Sequence, residues 1–411
     1  MSHPLMSLLR GVGFTCVLAL WPGMAVAEGD SPSAALEEGA AVAASDAPLQ
    51  APALAPSAGA IEGPLVGLPP LASPASVSLQ PRPNFHVLPV VASIVPGLLF
   101  HGLGPLAAGD TRTAGRLFAL EGTGLGLLAV GGVPIALTGA SRRVIGPLYA
   151  LSLAGASLFS ISAMANIYSV VSPAFTPGVA APSLPPLELD FGYQYVGDPN
   201  FDYSHLLALG ATARLSSARL EATARLSPDE GNTRVRLGGA YRLLGEPEQA
   251  RGGADGTAVD FEAGLVYQRF PTEGMALWGP ELGLRGRYAM ARLSPRLEGS
   301  FAEASVGLAF QGYSFFGPAA DDALHEQLLF TFGYGVYLGR AGPLRGEAML
   351  YYDHRKDDYA GGVKSGAGVP GYVGLRGRVL LTERWGVSAD MQVGAAYVAR
   401  LSAVYTIGGE P

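Results

Sequence analysis

The stretch that decides the fold is Arg219-Leu220-Glu221-Ala222-Thr223-Ala224-Arg225-Leu226. Because successive side chains of a β-strand point to opposite faces, this run places its leucines and alanines on one face and its charged residues and threonine on the other. About a dozen such runs follow one another between residues 187 and 408, and most keep their charges on one face. The pattern predicts a mainly β protein, an antiparallel transmembrane β-barrel of about 12 strands that is apolar outside and polar inside.

The predicted strands lie at 187–197, 204–215, 217–227, 233–244, 257–268, 281–293, 297–315, 326–339, 343–353, 371–382, 384–393 and 398–408. Their outward residues are apolar and include Met290 in the sixth strand, and tyrosines and Trp385 near strand ends are expected to form aromatic girdles. Short links alternate with long ones, which indicates short periplasmic turns and long external loops. The link 245–256 is too long for a turn, so it is either a periplasmic excursion or a sign that one hairpin is miscounted.

Over residues 187–408 the chain resembles bacterial outer-membrane β-barrel proteins in pattern and architecture, without a motif that belongs to one function. The resemblance implies the outer membrane of a Gram-negative bacterium, insertion by the barrel-assembly machinery, and contact with outer-membrane lipids, with lipopolysaccharide as a candidate. Such barrels usually finish on an aromatic residue. Here the last predicted strand ends Tyr405-Thr406-Ile407-Gly408, which departs from that pattern.

The composition and the N-terminus indicate an exported protein. The chain has 411 residues and a formal net charge of −7, without the basic block that nucleic-acid binding needs. Residues 1–27 have the features of a signal peptide, with Arg10 before an apolar core and Ala25-Val26-Ala27 at the cleavage site. The single cysteine, Cys16, lies inside this segment, so the mature chain has no thiol for disulfides or metal sites. Acylation of Cys16 in a lipoprotein is the alternative, which Thr15 before it disfavours.

Two segments separate the signal peptide from the barrel, which is assigned to 187–411. Residues 28–83 are rich in Ala, Pro and Ser and predict a disordered linker, with a Pro-rich docking segment as the alternative. Residues 84–175 are apolar, with three stretches each near the ~20 residues that cross a bilayer as a helix. These stretches are Val87–Ala108, Ala114–Thr138 and Val144–Val171.

We predict two or three helices for residues 84–175, with small residues that allow close helix packing. They are expected to pack against the barrel or the membrane at its periplasmic side. Part of the segment resembles a helical-hairpin motif of uncharacterised bacterial envelope proteins, which implies an envelope location and no chemistry. The residues that carry this resemblance are Pro96-Gly97, Gly102-Leu103-Gly104, Ala108-Gly109-Asp110 and Ala114-Gly115. Insertion into the inner membrane, with the β-region as a tethered periplasmic domain, is the alternative.

The inward faces of the predicted strands carry twelve arginines and nine carboxylates. The predicted lumen-lining charges are Arg214, Arg219, Arg225, Arg234, Arg236, Arg285, Arg287, Arg376, Arg378, Glu221, Asp260, Glu262, Glu347 and Asp390. The other inward charges are Arg242, Arg345, Arg400, Glu188, Asp190, Glu281 and Glu303. An open lumen with this surplus of about three positive charges would favour anions. Cross-strand ion pairs are the alternative, and we expect most charges to be paired around a constricted bore with weak anion preference at best.

The predicted barrel contains three histidines, His205, His325 and His354, none of them in a recognisable Ser/His pattern. We therefore predict no catalytic residue, no cofactor and no metal, and a hydrolase would need Ser or Asp within hydrogen-bond reach of one of these histidines. The charged link 353–359 is expected to be solvated, with binding of a divalent cation or lipopolysaccharide phosphate as the alternative. The sequence thus predicts a non-enzymatic outer-membrane barrel, structural or a narrow, weakly anion-preferring channel. An outer-membrane lipid-modifying hydrolase is the rival class, and the oligomeric state stays open.

Overall fold

The structure is a computed structural model. It describes residues 87–139, 142–172, 184–199, 204–229, 231–248, 255–271, 274–314, 325–338, 345–361 and 371–408. The predicted signal peptide and linker lie outside these residues.

Twelve antiparallel strands form a closed barrel, as predicted. They are β1 (Leu187–Gly197), β2 (His205–Arg214), β3 (Ala218–Leu226), β4 (Thr233–Gly245), β5 (Ala258–Arg269), β6 (Ala276–Ala289), β7 (Ser300–Ser314), β8 (His325–Leu338), β9 (Arg345–Asp353), β10 (Tyr372–Leu380), β11 (Trp385–Val393) and β12 (Tyr397–Ile407). Each strand pairs with its chain neighbours, and β12 pairs back onto β1 from Leu187↔Ile407 to Gly197↔Tyr397. Closure leaves no free edge, which a barrel in lipid requires.

The two ends of the barrel differ in their connections. We call the end where β1 begins and β12 ends the terminal end, and the opposite end, which carries the link between β9 and β10, the loop end. The link between β4 and β5 is a real excursion at the terminal end, since the strand count of twelve needs no further hairpin.

Strand β6 is the clearest departure from the predicted boundaries. It begins at Ala276 rather than at residue 281 and ends at Ala289, before two 3₁₀ turns at Met290–Arg292 and Pro295–Leu297. Pro280 is tolerated because the pairing with β7 is interrupted there, between Trp278↔Gly312 and Glu281↔Ala309, so no ladder hydrogen bond needs its missing N–H. Met290, predicted on the outward face of this strand, is instead buried in the following turn.

The helical segment precedes the barrel and consists of α1 (Val87–Ile94), α2 (Leu103–Ala107), α3 (Thr111–Thr138) and α4 (Arg142–Val171). Helix α3 begins after Asp110, whose carboxylate accepts a hydrogen bond from the Thr113 N–H at 2.9 Å. It ends at Gly139, where a φ of 67° gives a left-handed C-cap. The stretch predicted over Val87–Ala108 forms two short helices, since the residue before Pro96 disfavours helical backbone.

Helices α3 and α4 form a closely packed antiparallel pair, which we call the hairpin. A Cβ atom added at Gly124 would lie 2.8 Å from the Phe159 nitrogen, and one at Gly155 would lie 2.5 Å from the Leu128 nitrogen. Gly131 faces the α4 backbone equally closely at Leu148. Small residues at this interface therefore allow the two backbones to touch, as in membrane helix pairs.

The hairpin lies on the outer wall of the barrel. At the terminal end, Arg296 in the β6–β7 turn forms an ion pair with Asp110 at 2.9 Å, and the Tyr168 hydroxyl donates to the Glu298 carbonyl at 2.8 Å. At the loop end, the Tyr149 ring of α4 lies 5.3 Å from the His354 ring. The predicted packing at the periplasmic side is thus incomplete, because the contact continues to the opposite end of the wall.

Candidate functional site: the charged lumen

Strand alternation turns the charged side chains toward the barrel axis, where they surround three cavities of about 500, 310 and 300 Å³. Glu221 and Arg376 line all three, so the cavities are adjacent compartments of one lumen. Each of the fourteen predicted lumen-lining residues borders at least one cavity. What these residues do in the lumen stays a prediction.

Most of the charged side chains in the lumen form ion pairs. Within 4.0 Å, eleven of the twelve inward arginines contact a carboxylate: Arg214, Arg219, Arg225, Arg234, Arg236, Arg242, Arg285, Arg287, Arg376, Arg378 and Arg400. The pairing follows from geometry, since inward residues on neighbouring strands face each other at close range. Asp260 on β5, for example, is the register partner of Arg285 on β6 and lies 2.6 Å from Arg242 on β4.

A second set of ion pairs links walls that are not adjacent. Arg287 on β6 contacts Glu303 on β7 and Glu347 on β9, each at 2.8 Å. Arg376 on β10 reaches Glu303 at 2.7 Å. The Arg287 guanidinium also stacks on the Phe301 ring, 4.1 Å from its centroid. These contacts tie β6 and β7 to β9 and β10 across the lumen and narrow it toward the terminal end, where Arg287, Glu303 and Glu347 lie near the ends of their strands.

Glu248, in the link between β4 and β5, closes part of the terminal end. Its carboxylate contacts Arg214 at 2.8 Å and Arg242 at 3.2 Å and also pairs with Arg219. Burial opposes ionisation, but the charges of Arg219 and Arg214 outweigh it and lower the pKa of Glu248. The sequence showed only an overlong turn here, because a strand pattern does not predict where a link points.

Residues 354–361, the first part of the link between β9 and β10, fold into the loop end of the lumen; we call them the inward loop. Asp357 pairs with Arg234 at 2.9 Å, Asp358 pairs with Arg225 at 2.8 Å, and Arg355 pairs with Glu281 of β6. Burial raises the pKa of Asp358, but Arg225, Arg234 and Arg355 together lower it below its ordinary value. The prediction of a solvated loop is therefore wrong: three charged side chains of this loop are engaged inside the barrel.

Apolar contacts complete the closure at the loop end. Tyr359 and Ala360 of the inward loop are buried with Val196, Leu206, Tyr372 and Val398 from the surrounding strands. The Ala395 N–H donates to the Ala360 carbonyl at 3.0 Å, and the Tyr359 hydroxyl donates to Asn232 at 3.3 Å. The loop is thus packed, hydrogen-bonded and ion-paired to several strands of the mouth.

The two links also change the charge balance of the lumen. Arg355 raises the inward cations counted from twelve to thirteen, and Glu248, Asp357 and Asp358 of the two links, together with Asp353 at the end of β9, raise the inward carboxylates from nine to thirteen. Arg292, Asp255 and Glu246 also border the cavity at the terminal end and add no positive surplus. Lys356 of the inward loop is exposed and is not part of this lining. Over the described residues, the predicted surplus of three positive charges is absent, which removes the physical basis for an anion preference.

The histidines of the barrel do not form hydrolase pairs where their side chains are described. His205 Nδ1 contacts the Tyr193 hydroxyl. His354 lies between Tyr352, at 2.9 Å from Nδ1, and Tyr149, at 3.4 Å from Nε2. Burial lowers the pKa of His354 to about 4, and Lys356 adds to the shift. The His325 side chain lies outside the described part of the chain.

A Ser/His pair that sequence patterns missed lies in the helical segment. His101 Nδ1 is 2.6 Å from Ser162 Oγ, and the backbone N–H of His101, rather than its ring, donates to the Glu121 carboxylate. Both side chains of the pair are fully buried, so no substrate reaches them in this conformation. Nothing in the sequence marks the pair, because 61 residues separate its members. Among the described residues, no group of His, Cys, Asp and Glu is arranged to hold a metal.

A closed barrel with an apolar wall and a charged lumen is the architecture of a transmembrane β-barrel. Neither a protein-family model nor a curated protein matches the sequence. Among solved structures, the chain resembles the KdgM porin at 10% identity and a TM-score of 0.31, covering 54% of this chain and 99% of that one. It also resembles the outer membrane protein Omp33 of Acinetobacter baumannii at 11% identity and a TM-score of 0.29, covering 54% and 98%.

The translocator domain of the autotransporter NalP from Neisseria meningitidis is similar at 12% identity and a TM-score of 0.31, with 56% of this chain and 91% of that one covered. At identities of 10–12%, these matches show a likeness of fold alone. What this chain binds or conducts is therefore argued from its own residues.

Proposed function

We propose that this chain is a non-enzymatic outer-membrane barrel whose lumen is closed at rest. Its role is structural as long as the inward loop fills the loop end of the lumen. The observation that carries the proposal is the inward loop, which is held by Asp357–Arg234 at 2.9 Å and Asp358–Arg225 at 2.8 Å. The proposed partners are outer-membrane lipids, with lipopolysaccharide as a candidate, and the barrel-assembly machinery during insertion. No nucleic acid is proposed as a partner.

Closure follows from the number and placement of the contacts. A hydrated ion would have to pass the ion pairs around Glu303 and then the packed residues Tyr359 and Ala360. Because each buried arginine keeps a carboxylate partner, opening the lumen would separate charges in a partly dehydrated space, which is costly. The same pairing explains how so many charges are tolerated inside a barrel of this width.

A narrow channel is the runner-up function, and the described cavities of about 500, 310 and 300 Å³ favour it. Such a channel would conduct only after the inward loop is displaced. The anion preference predicted from the sequence is not retained in this proposal, because the lumen charges balance over the described residues. A lipid-modifying hydrolase finds less support, since His205 and His354 contact tyrosine hydroxyls.

Four measurements test the proposal: outer-membrane fractionation of cells, and three on the purified, refolded protein. Heat-modifiable gel mobility and outer-membrane fractionation are expected, and a chain that stays soluble without detergent would exclude the membrane barrel. In planar bilayers at neutral pH we expect no large, steady conductance; such a conductance would exclude the closed lumen. Release of fatty acid from phospholipid vesicles, abolished by His354→Ala, would instead support the hydrolase.

A further inference from the structure

The outer wall of the barrel is covered over one sector only. Phe330 and Tyr334 point outward from β8, yet they are only 8% and 5% exposed. Outward residues on other strands, such as Leu237 at 54%, remain exposed. The cover is the hairpin: Leu117 of α3 and Ile161 and Ala165 of α4 form one apolar cluster with Tyr334 and the β6–β7 turn.

The hairpin in turn exposes apolar side chains of its own. On α3, Val130 is 59% exposed and Leu137 is 79% exposed, and Leu125 and Val133 are exposed beside them. These four exposed side chains are all apolar, and they belong to the helix pair that covers this sector of the barrel wall. A contiguous apolar surface of this extent marks contact with a membrane or another protein.

Apart from the buried Glu121, the charged residues of the hairpin lie at its ends. Between residues 144 and 171 the sequence has no charged residue, and between 122 and 141 it has none either. Arg112 and Arg116 lie in the first turns of α3 at the terminal end, and Arg142-Arg143 begins α4 at the other end. This is the distribution of a helix pair whose ends reach the two interfaces of a bilayer.

The length of the hairpin also fits a helix pair that crosses a bilayer. Helices α3 and α4 contain 28 and 30 residues, and Tyr149 and Tyr168, which contact the barrel at opposite ends, are 19 residues apart. At 1.5 Å per residue this separation is about 29 Å, close to the ~30 Å of a bilayer hydrocarbon core.

The buried polar side chains within α3 and α4 are hydrogen-bonded internally, as a low-dielectric surrounding demands. Asn166 is fully buried, and its amide donates to the Ser93 carbonyl at 3.0 Å and the Gly97 carbonyl at 3.1 Å. Its side-chain oxygen accepts from the Gly104 N–H at 3.1 Å. Glu121, the charged residue farthest inside α3, is buried and accepts from the His101 N–H.

We propose that α3 and α4 cross the outer membrane beside the barrel and that the surface formed by Leu125, Val130, Val133 and Leu137 contacts bilayer hydrocarbon. The inference rests on the proposed membrane residence of the barrel and adds an α-helical layer to the same bilayer. Hydrocarbon is the occupant because the exposed face of the hairpin is apolar, as is the exposed wall of the barrel against which the hairpin packs, and because charge flanks this face at both ends. A β-barrel wall thus serves as the docking face for a membrane helix pair.

Site-directed spin labelling of the full-length protein in phospholipid vesicles tests the proposal. In a Cys16→Ser background, single cysteines are placed by Val130→Cys on the hairpin, Leu265→Cys on the barrel belt and Ser216→Cys in the β2–β3 turn. Accessibility of each label to oxygen, which concentrates in hydrocarbon, is compared with accessibility to a water-soluble nickel complex. We expect oxygen to dominate at 130 and 265 and nickel to dominate at 216.

The outcomes separate the two proposals. Nickel access at 130 with oxygen access at 265 would overturn the hairpin inference and leave the barrel in the membrane. Nickel access at both positions would overturn the membrane barrel itself. Shielding of position 130 from both reagents would show that protein, such as a second copy, covers this face, and would also overturn the inference.

Discussion

At the scale of single residues, the inward loop depends on two aspartates. Asp357 and Asp358 are adjacent in sequence and reach different strands, β4 through Arg234 and β3 through Arg225. Both side chains are largely buried, so water cannot solvate the charge that remains when one partner of a pair is removed. Loss of one partner of a buried pair leaves the other charge uncompensated, which typically costs about 3–5 kcal/mol.

The first prediction is that Asp358→Asn loosens the inward loop. We expect a lower temperature for the heat-induced gel-mobility shift and discrete openings in planar bilayers at pH 7, because Arg225 loses its carboxylate. The matched control is Asp229→Asn, which makes the same charge change at the same end of the barrel on an exposed residue. Equal behaviour of the two variants would show that the Asp358 pair does not hold the loop.

The second prediction concerns pH. Arg225, Arg234 and Arg355 outweigh burial and lower the pKa of Asp358 below 3.8, so the pair contributes fully above that value. Its contribution is lost as the pH falls through the lower pKa of the folded state. Openings should therefore appear as the pH is reduced below about 4, and Asp358→Asn should remove this acid step. Openings that increase at alkaline pH would contradict the assignment.

At the scale of elements, the hairpin depends on close backbone approach. Gly131 faces the α4 backbone at Leu148 and Ser152, whereas a Cβ atom at Gly126, on the same helix, would meet nothing within 4 Å. Forcing a large side chain into such an interface typically costs about 1–3 kcal/mol.

The third prediction is that Gly131→Leu separates α3 from α4, while Gly126→Leu does not. In detergent micelles, thermal loss of the helical circular-dichroism signal should occur at a lower temperature for Gly131→Leu. Gly126→Leu should match or slightly exceed the parent, because leucine is a better helix former than glycine. Identical curves for both variants would show that the hairpin tolerates separation at Gly131.

At the scale of the whole molecule, the balance of positive and negative charges in the lumen predicts the ion selectivity of an opened barrel. On the strands, Glu248 and the inward loop, thirteen inward cations face thirteen inward carboxylates. An opened lumen with that balance has no net field to favour either sign of ion. A surplus of arginines on the strands alone would have favoured anions.

The fourth prediction tests this balance in an opened barrel. The variant Arg225→Gln, Asp358→Asn, Arg234→Gln, Asp357→Asn removes two charges of each sign. It thereby removes two of the ion pairs that hold the inward loop in the lumen. In a tenfold KCl gradient its reversal potential should lie near zero. Replacing only Asp357 and Asp358 leaves two extra positive charges and should shift the reversal potential toward anions. A strong preference in the balanced variant would mean that other charges govern the lumen.

The sequence by itself determined the barrel, because the period of two is a local property: each strand carries its own division into lipid-facing and lumen-facing residues. The twelve strands and the inward placement of residues such as Arg287 and Glu303 follow from that alternation. The small residues and charge-free runs of the helical segment likewise predicted closely packed apolar helices.

Only the tertiary structure decided what closes the lumen and where the hairpin lies. Glu248 and Asp358 sit in links, where no periodicity fixes direction, and they meet their arginine partners only after strands distant in sequence close into a ring. The same holds for Tyr334, whose outward position is set by its strand but whose burial depends on α4, more than 160 residues earlier in the chain. These contacts form only when the barrel closes and the hairpin docks on its wall, so a local sequence pattern cannot predict them.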